Sequence, residues 1–223
     1  MHIDKGILFA GCWDRQIRAI IYDTGVVDRA FLAANSAIKS LHIHENWLFS
    51  GSCEPQIRAF NLETGATQVY HGHESWVNCM ATYFVFDEEG NVKDTWLLSG
   101  SDDSSIRIWD MKPRNPLRQI DEKNGTMVCL EKLQEHKNGV MCLALTSREK
   151  PCDSLYSGGQ DHFTIFWDMK VIEQRIEEMR RMEAEEMRSK KNEAKERFLE
   201  AKLGKRKKGK KGKGKGKGKG KKK

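Results

Sequence analysis

Short apolar runs separated by polar turns recur along the first 170 residues, each only a few residues long. Trp76-Val-Asn-Cys-Met-Ala-Thr82 and Val140-Met-Cys-Leu-Ala-Leu145 predict strands of one kind, with Cys79 and Cys142 at the same place in each. Thr95-Trp-Leu-Leu-Ser99 and Ser154-Leu-Tyr-Ser157 predict a second kind, each closed by Gly. A turn of Asp, Ser, Gln or His follows, and then Ile106-Arg-Ile-Trp109 or Thr164-Ile-Phe-Trp167 predicts a third. Thr126-Met-Val-Cys-Leu130 and Gln68-Val-Tyr70 are candidates for a fourth, outer strand. From residue 171 the pattern changes: Glu, Arg, Lys, Met and Ala dominate, Pro and Gly vanish, and a helix over 171–204 is expected with Gly204 as its stop.

The strands belong to a repeat. Ser99-Gly-Ser-Asp-Asp-Ser-Ser-Ile-Arg-Ile-Trp109-Asp110 and Ser157-Gly-Gly-Gln-Asp-His-Phe-Thr-Ile-Phe-Trp167-Asp168 align residue for residue, each with a His upstream, at His73 and His136. Two weaker copies fall in register. One runs from Ser50 to Asn61, with Glu54 for Asp, Phe60 for Trp and Ala34 near the His position. The other runs from Ala10 to Ile21, with Ala10 for Ser and Ile20 for Trp. Trp13-Asp14 is a Trp-Asp pair in the wrong register, because Asp14 aligns with Asp103 and Asp161. The units span about 1–25, 26–65, 66–112 and 125–169.

The His, Ser, Asp and Trp spacing of the third and fourth units resembles the WD40 family of β-propellers, over roughly residues 1–170. The resemblance implies an all-β fold, a partial propeller of about four blades, followed by a long charged helix and a Lys/Gly tail. It implies two structural hydrogen-bonded tetrads, His73–Ser99–Asp103–Trp109 and His136–Ser157–Asp161–Trp167. Indole donates, hydroxyl relays and imidazole links hydroxyl to carboxylate. The first unit has at most Met1-His-Ile for an inner strand and the last has no fourth strand. The simplest reading is therefore the C-terminal part of a larger propeller; the alternatives are a compact four-bladed ring and completion by a partner or a second copy. A zinc-finger protein ending in such repeats is one candidate parent, although no zinc finger occurs in these 223 residues.

By the same resemblance, partners dock on the rim where the His-bearing loops enter. Glu74, Ser75, Trp76, Lys137 and Asn138 border that rim, and Trp76 is the foremost contact candidate, against the alternative that it packs on a neighbouring blade. The expected function is a non-enzymatic protein-interaction scaffold. The alternative is a substrate receptor of a cullin-type ubiquitin ligase, whose Trp-Asp-x-Arg signature has partial matches in Trp109-Asp-Met-Lys112 and Trp167-Asp-Met-Lys170. Lys in place of Arg loses the planar bidentate fork. A catalytic Ser-His-Asp reading is set aside, because two copies at repeat spacing indicate scaffold.

Charge is divided unevenly. The net charge is +7, but residues 205–223 carry about +13 of it, leaving about −6 for the rest by subtraction. Lys205, Arg206, Lys207, Lys208, Lys210 and Lys211 form a nuclear-import-like run, alternating Lys and Gly follow, and the whole of 205–223 is expected to be a disordered basic tail. Such a polycation binds RNA or another polyanion through phosphate, without base stacking because no aromatic is interleaved. Localisation to nucleus or cytoplasm is expected, with no membrane span and no small-molecule substrate. Six cysteines without a Cys-x-x-Cys pair read as small core residues in a reducing compartment. His42 and His44 are expected on one solvent-reaching strand face rather than around a metal, and no cofactor is expected. In the helix, Ile172, Ile176 and Met179 begin a heptad that Glu183 breaks, which favours a solvated charged helix over a dimerising one.

Overall fold

The computed structural model describes residues 2–4, 6–111, 129–146 and 153–211. Four antiparallel sheets follow one another along the chain. The first is β1 (His2–Asp4), β2 (Ile7–Gly11), β3 (Gln16–Ile21) and β4 (Val27–Leu32). The second is β5 (Ile38–His44), β6 (Trp47–Ser52), β7 (Glu54–Asn61) and β8 (Thr67–Tyr70). The third is β9 (Val77–Phe86), β10 (Val92–Ser101), β11 (Ile106–Asp110) and β12 (Cys129–Leu133). The fourth has three strands among the described residues, β13 (Val140–Leu145), β14 (Ser154–Gly159) and β15 (Thr164–Asp168). Of the two candidate outer strands, Gln68–Tyr70 falls in β8, while Cys129 and Leu130 open β12 and residues 126–128 lie outside the described residues; β8 and β12 each complete the sheet before it. The sequence units are thus offset by one strand from the sheets.

Sheets this small cannot keep a dry core alone, and each buries a face against the next. One glycine column shows how. Gly11, Gly51 and Gly100 occupy equivalent places at the ends of their strands. A Cβ at Gly11 would stand 2.4 Å from Ile38 Cγ2, one at Gly51 2.9 Å from Val77 Cγ1, and one at Gly100 2.7 Å from Val140 Cγ1. Each sheet is therefore approached by the β-branched residue that opens the inner strand of the next. Pleat alternation puts Phe9, Ile17 and Ala19 on the glycine face of the first sheet, Phe49, Ile57 and Ala59 on that of the second, and Leu98, Ile106 and Ile108 on that of the third. All nine are buried. The covering face of each next sheet carries Leu48 with Phe60, Leu97 with Trp109, or Leu155 with Trp167. Phe49, Ile57 and Ala59 pack with Tyr70, Val77, Leu97 and Trp109 into one cluster, in which the Tyr70 and Trp109 rings meet edge to face at 5.7 Å.

Helix α1 (Met169–Lys211) starts directly after β15. Asp168 caps it, its Oδ1 accepting the backbone N–H of Lys170 at 3.0 Å and of Val171 at 3.3 Å. Met169 and Ile172 are buried, and the Tyr83 hydroxyl donates to the Glu173 carboxylate, whose pKa burial pushes up. The sheets and residues through Glu173 form one compact unit, and a second begins at Gln174. Within the second, Glu177–Arg181 at 3.8 Å, Glu186–Lys190 at 2.6 Å and Glu193–Arg197 at 4.0 Å are exposed i,i+4 pairs. Each is worth about 0.3–0.5 kcal/mol. The helix bounds differ from the expected 171–204. It begins at Met169 and runs through Gly204 to Lys211, so residues 205–211, expected to be disordered, are helical. Lys and Arg are good helix formers, and the two internal glycines, Gly204 and Gly209, cost only about 1 kcal/mol each. Residues 212–223 lie outside the described residues.

The glycine column sets a graded test. A Gly100→Ala methyl would meet Cys79 Sγ at 2.6 Å and Val140 Cγ1 at 2.7 Å inside a closed interface. That change is expected to cost about 1–3 kcal/mol in urea unfolding. At Gly158 the added carbon meets only Cys142 Sγ, at 2.8 Å, and that side chain is exposed and can turn away. Gly158→Ala is expected to cost less than about 1 kcal/mol; equal costs would contradict the interface geometry.

Candidate functional site

The structure brings each expected set of four together. Ser99 Oγ accepts the Trp109 indole N–H at 2.8 Å and lies 2.7 Å from His73 Nε2, while His73 Nδ1 lies 2.8 Å from Asp103 Oδ2. In the fourth sheet, Ser157 Oγ accepts the Trp167 indole N–H at 2.8 Å and lies 2.8 Å from His136 Nε2, and His136 Nδ1 lies 2.9 Å from Asp161 Oδ2. Indole can only donate, so the serine hydroxyl sends its own proton to Nε2, and Nδ1–H donates to the carboxylate. Every group in the line is used. Ser99 and Ser157 are fully buried, and His73 and His136 are buried.

The aspartates also hold the loops outside. Asp103 Oδ2 accepts the Glu74 backbone N–H at 2.9 Å, and its Oδ1 accepts from the Ser105 backbone N–H at 2.9 Å and the Ser105 hydroxyl at 2.6 Å. Asp161 accepts the backbone N–H of Lys137 at 2.9 Å and of Phe163 at 3.1 Å. Burial works to raise the Asp103 pKa, but the His73, Ser105 and Glu74 hydrogen bonds outweigh it and hold the carboxyl well below the usual range. Asp161 is likewise held at about 2, burial being opposed by the Lys137 N–H and His136. Ser104 (φ 63°) and His162 (φ 64°) take the left-handed turn that lets each aspartate fold back.

The weaker units reach related ends by other means. Glu54, one carbon longer than Asp, spans directly to the residue after Ala34, its Oε2 accepting the Asn35 backbone N–H at 3.0 Å and its Oε1 the Asn35 side-chain amide at 3.1 Å. This link corresponds to Asp103 with Glu74 and Asp161 with Lys137. Reading Glu54 as a plain loss of the aspartate misses it; the signal was the pairing of a longer acid with a shorter residue at the His position. In the first unit, Asp14 caps its own turn through the Gln16 N–H at 3.1 Å and pairs with Arg18. Trp13 stands 88% exposed, outside any polar line.

The rim residues are placed unevenly. Glu74, Trp76, Lys137 and Asn138 are exposed and Ser75 is half-buried. Trp76 is 46% exposed, with Lys39 Nζ 4.6 Å from its ring centroid. Lys39 Nζ also donates to Asn78 Oδ1 at 2.9 Å, and the Asn78 amide donates to Asp102 and to the Val140 carbonyl at 3.0 Å. Of the cullin-type matches, Lys170 is paired with Asp153 at 2.9 Å and Lys112 lies outside the described residues. Helix α1 includes Lys205, Arg206, Lys207, Lys208, Lys210 and Lys211.

Two expectations are corrected. His42 and His44 do not simply reach solvent. His42 bonds the Thr82 hydroxyl, and the His44 ring lies 5.5 Å from that of Phe84, where burial lowers its pKa. Both lie where β5 faces β9. Cys79 behaves as a core thiol, burial pushing its pKa up to about 12, whereas its equivalent Cys142 is exposed because no described sheet follows the fourth. Cys152 lies outside the described residues. Among the described residues, no cluster of His, Cys, Asp or Glu is arranged to hold a metal, and no helix is long and apolar enough to cross a membrane.

One serine position separates the two kinds of sheet. Ser99→Ala strands the Trp109 N–H and His73 Nε2 in a fully buried site, and a loss of about 2–4 kcal/mol is expected in urea unfolding. Ser50 makes one 3.3 Å bond to the Arg58 carbonyl. Ser50→Ala is expected to cost about 1 kcal/mol or less.

Comparison with known proteins agrees with this geometry. The family model "WD domain, G-beta repeat" matches residues 65–110 and 127–168. A curated relative, the pre-mRNA-splicing factor PRP46 of Candida albicans, is 29% identical over 98 residues, which are 44% of this chain and 19% of that protein. A solved structure, the computationally designed Ika8 protein, superposes with a TM-score of 0.54 at 20% identity, over 75% of this chain and 44% of its own. The chain thus spans less than half the length of either, and the second likeness concerns fold alone. Both stretches matched by the family contain a complete His–Ser–Asp–Trp line, and the segments at 65–110 and 127–168 are WD40 repeats.

Proposed function

We propose that this chain is a non-enzymatic protein-interaction scaffold whose docking surface is the rim carrying Glu74, Trp76, Lys137 and Asn138. WD40 domains mediate protein–protein interactions, and proteins built from them are generally scaffolds. The observation that carries the rim reading is the half-exposed indole of Trp76 beside a loop anchored from within. Asp103 grips the Glu74 N–H and Asp161 the Lys137 N–H. Side chains on loops held so firmly lose little freedom on binding, which favours affinity. The two buried polar lines serve as structural links, each fixing one loop to its own sheet.

The basic C-terminal segment adds nuclear targeting and sequence-independent affinity for RNA. Its thirteen basic residues over 205–223 would release counterions from a phosphate backbone. The relative named as a pre-mRNA-splicing factor lends weight to an RNA-related setting and to the nucleus. The cullin-type alternative has less behind it, since Lys170 is already engaged by Asp153.

Two experiments test these assignments. Trp76→Ala is expected to change stability by about 1 kcal/mol or less. It should weaken capture of protein partners about thirtyfold, the ~2 kcal/mol of a central aromatic contact. Undiminished capture would remove the rim. Deleting residues 205–223 is expected to abolish RNA retention together with its salt dependence; RNA binding that survives the deletion would refute the role of the tail.

A further inference from the structure

The interface between the first and second sheets shares its apolar framework with the next interface. Phe9, Ile17 and Ala19 match Phe49, Ile57 and Ala59, and Leu48 on the covering face matches Leu97. At three aromatic positions the first interface has a smaller side chain. Ile7 stands where Trp47 stands, four residues before the glycine of the column. Phe60 stands where Trp109 stands. Phe31, opposite Ile17, stands where Tyr70 lies opposite Ile57. The third interface keeps both indoles, as Trp96 and Trp167.

The consequence is a cavity of about 390 Å³, walled by Ile7, Phe9, Ala19, Phe31, Phe60 and Leu62. Its lining belongs to two sheets that each have four described strands. The sheets do not close over it, because the glycine column sets their spacing: Gly11 admits Ile38 as Gly51 admits Val77. Smaller side chains in a frame that cannot collapse leave room. Phe31 and Phe60 keep the edge-to-face contact of the larger pair, at 5.3 Å against 5.7 Å for Tyr70 and Trp109. Both phenyl rings are half-buried, whereas Tyr70 and Trp109 are at most 2% exposed.

Volume and chemistry together select the occupant. The cavity is of the size that takes a ligand group. The two places that indoles fill at both other interfaces are open here, and Phe31 and Phe60 offer ring edges and faces to a planar guest. Polar lining residues are mostly engaged among themselves. Arg29 is neutralised by Asp28 at 2.9 Å. Asn61 Oδ1 accepts the backbone N–H of Glu63 at 3.1 Å and of Thr64 at 2.8 Å, and the Asn46 carbonyl accepts the Leu62 N–H at 2.7 Å. Glu63 adds an exposed carboxylate. Such a mouth repels an anion and suits an uncharged ring with an N–H donor, which describes indole. The half-exposed walls leave a way out to solvent, which a ring tethered to a main chain needs and a free molecule does not.

We propose that this cavity receives the indole of a tryptophan presented by a partner protein, seated where the other interfaces carry their own. Its mouth lies at the β5–β6 and β7–β8 turns, at the strand ends opposite the Trp76 rim, so the site does not rest on that rim.

Fluorine NMR of N-acetyl-5-fluorotryptophanamide titrated with the full chain is expected to show saturable broadening, with a dissociation constant of about 0.1 mM for a ligand of this size. N-acetylleucinamide is expected not to displace it. Phe60→Trp and Ile7→Trp restore the rings that the other interfaces carry. Each is expected to keep a urea midpoint no lower than the wild-type chain and to weaken binding by about tenfold or more. Trp76→Ala is expected to leave binding unchanged, which separates this site from the rim. Absence of saturable binding to the wild-type chain would overturn the proposal, as would displacement by N-acetylleucinamide; both readings stand whatever the variants do. So would full binding by a folded Phe60→Trp or Ile7→Trp chain, or its loss in Trp76→Ala. Binding of 5-fluoroindole without binding of the amide would also overturn it, and give the cavity to a free aromatic molecule.

Discussion

Each sheet here is too small to bury both of its faces by itself, and that constraint governs the rest. A sheet of three or four short strands offers two apolar sides, and stability requires a neighbour on each. The chain meets the requirement with one repeated contact, a glycine on one sheet against a β-branched residue of the next. Glycine is needed for a steric reason: at Gly51 a Cβ would lie 2.7 Å from the Val77 carbonyl oxygen and 2.4 Å from the Ser40 hydroxyl. The backbones can then approach closely enough for Phe49, Ile57 and Ala59 to close over Leu97 and Trp109. The column orders the stack, and where it ends, Cys142, Tyr156 and Phe166 become surface.

The polar lines come second and depend on that packing. Trp109 is at once part of the apolar cluster of the second interface and the donor at one end of a hydrogen-bonded line. Burial makes an unpaired indole N–H or imidazole costly, and so holds the line to one arrangement. Asp103 and Asp161 stand at the other end, where the line meets the loops. They transmit order outward to Glu74 and Lys137. Glu54 shows that the outward link can persist without the inner one, since it reaches Asn35 with no histidine between.

Much of this was legible in the sequence. The spacing of His73, Ser99, Asp103 and Trp109, repeated from His136 to Trp167, points to one local geometry twice, and both copies show the same bonds. Strand positions followed from β-branched and aromatic runs between turn residues. Three features were less legible because they depend on what lies across an interface. The outer strands β8 and β12 lie between two sheets in sequence, and each pairs with the one before. His42 and His44 alternate as a solvent face would, yet β9 lies against them. Cys79 and Cys142 occupy the same register and have opposite environments, a difference that only the presence of a following sheet creates. The helix passed through Gly204 and Gly209 because two poor residues among many good ones shift the balance too little to end it.

The composition of the polar lines also shows why identical residues need not mean identical chemistry. Ser, His and Asp in hydrogen-bonded series are the parts of a hydrolytic nucleophile. Here Ser99 and Ser157 are fully buried, and an indole N–H occupies the oxygen of each. A substrate carbonyl has no approach to that atom, and the proton that would leave it in catalysis is fixed in a satisfied bond. Location within the stack, rather than residue type, decides between the two uses. In the interior these polar groups hold the Glu74 and Lys137 loops to their sheets.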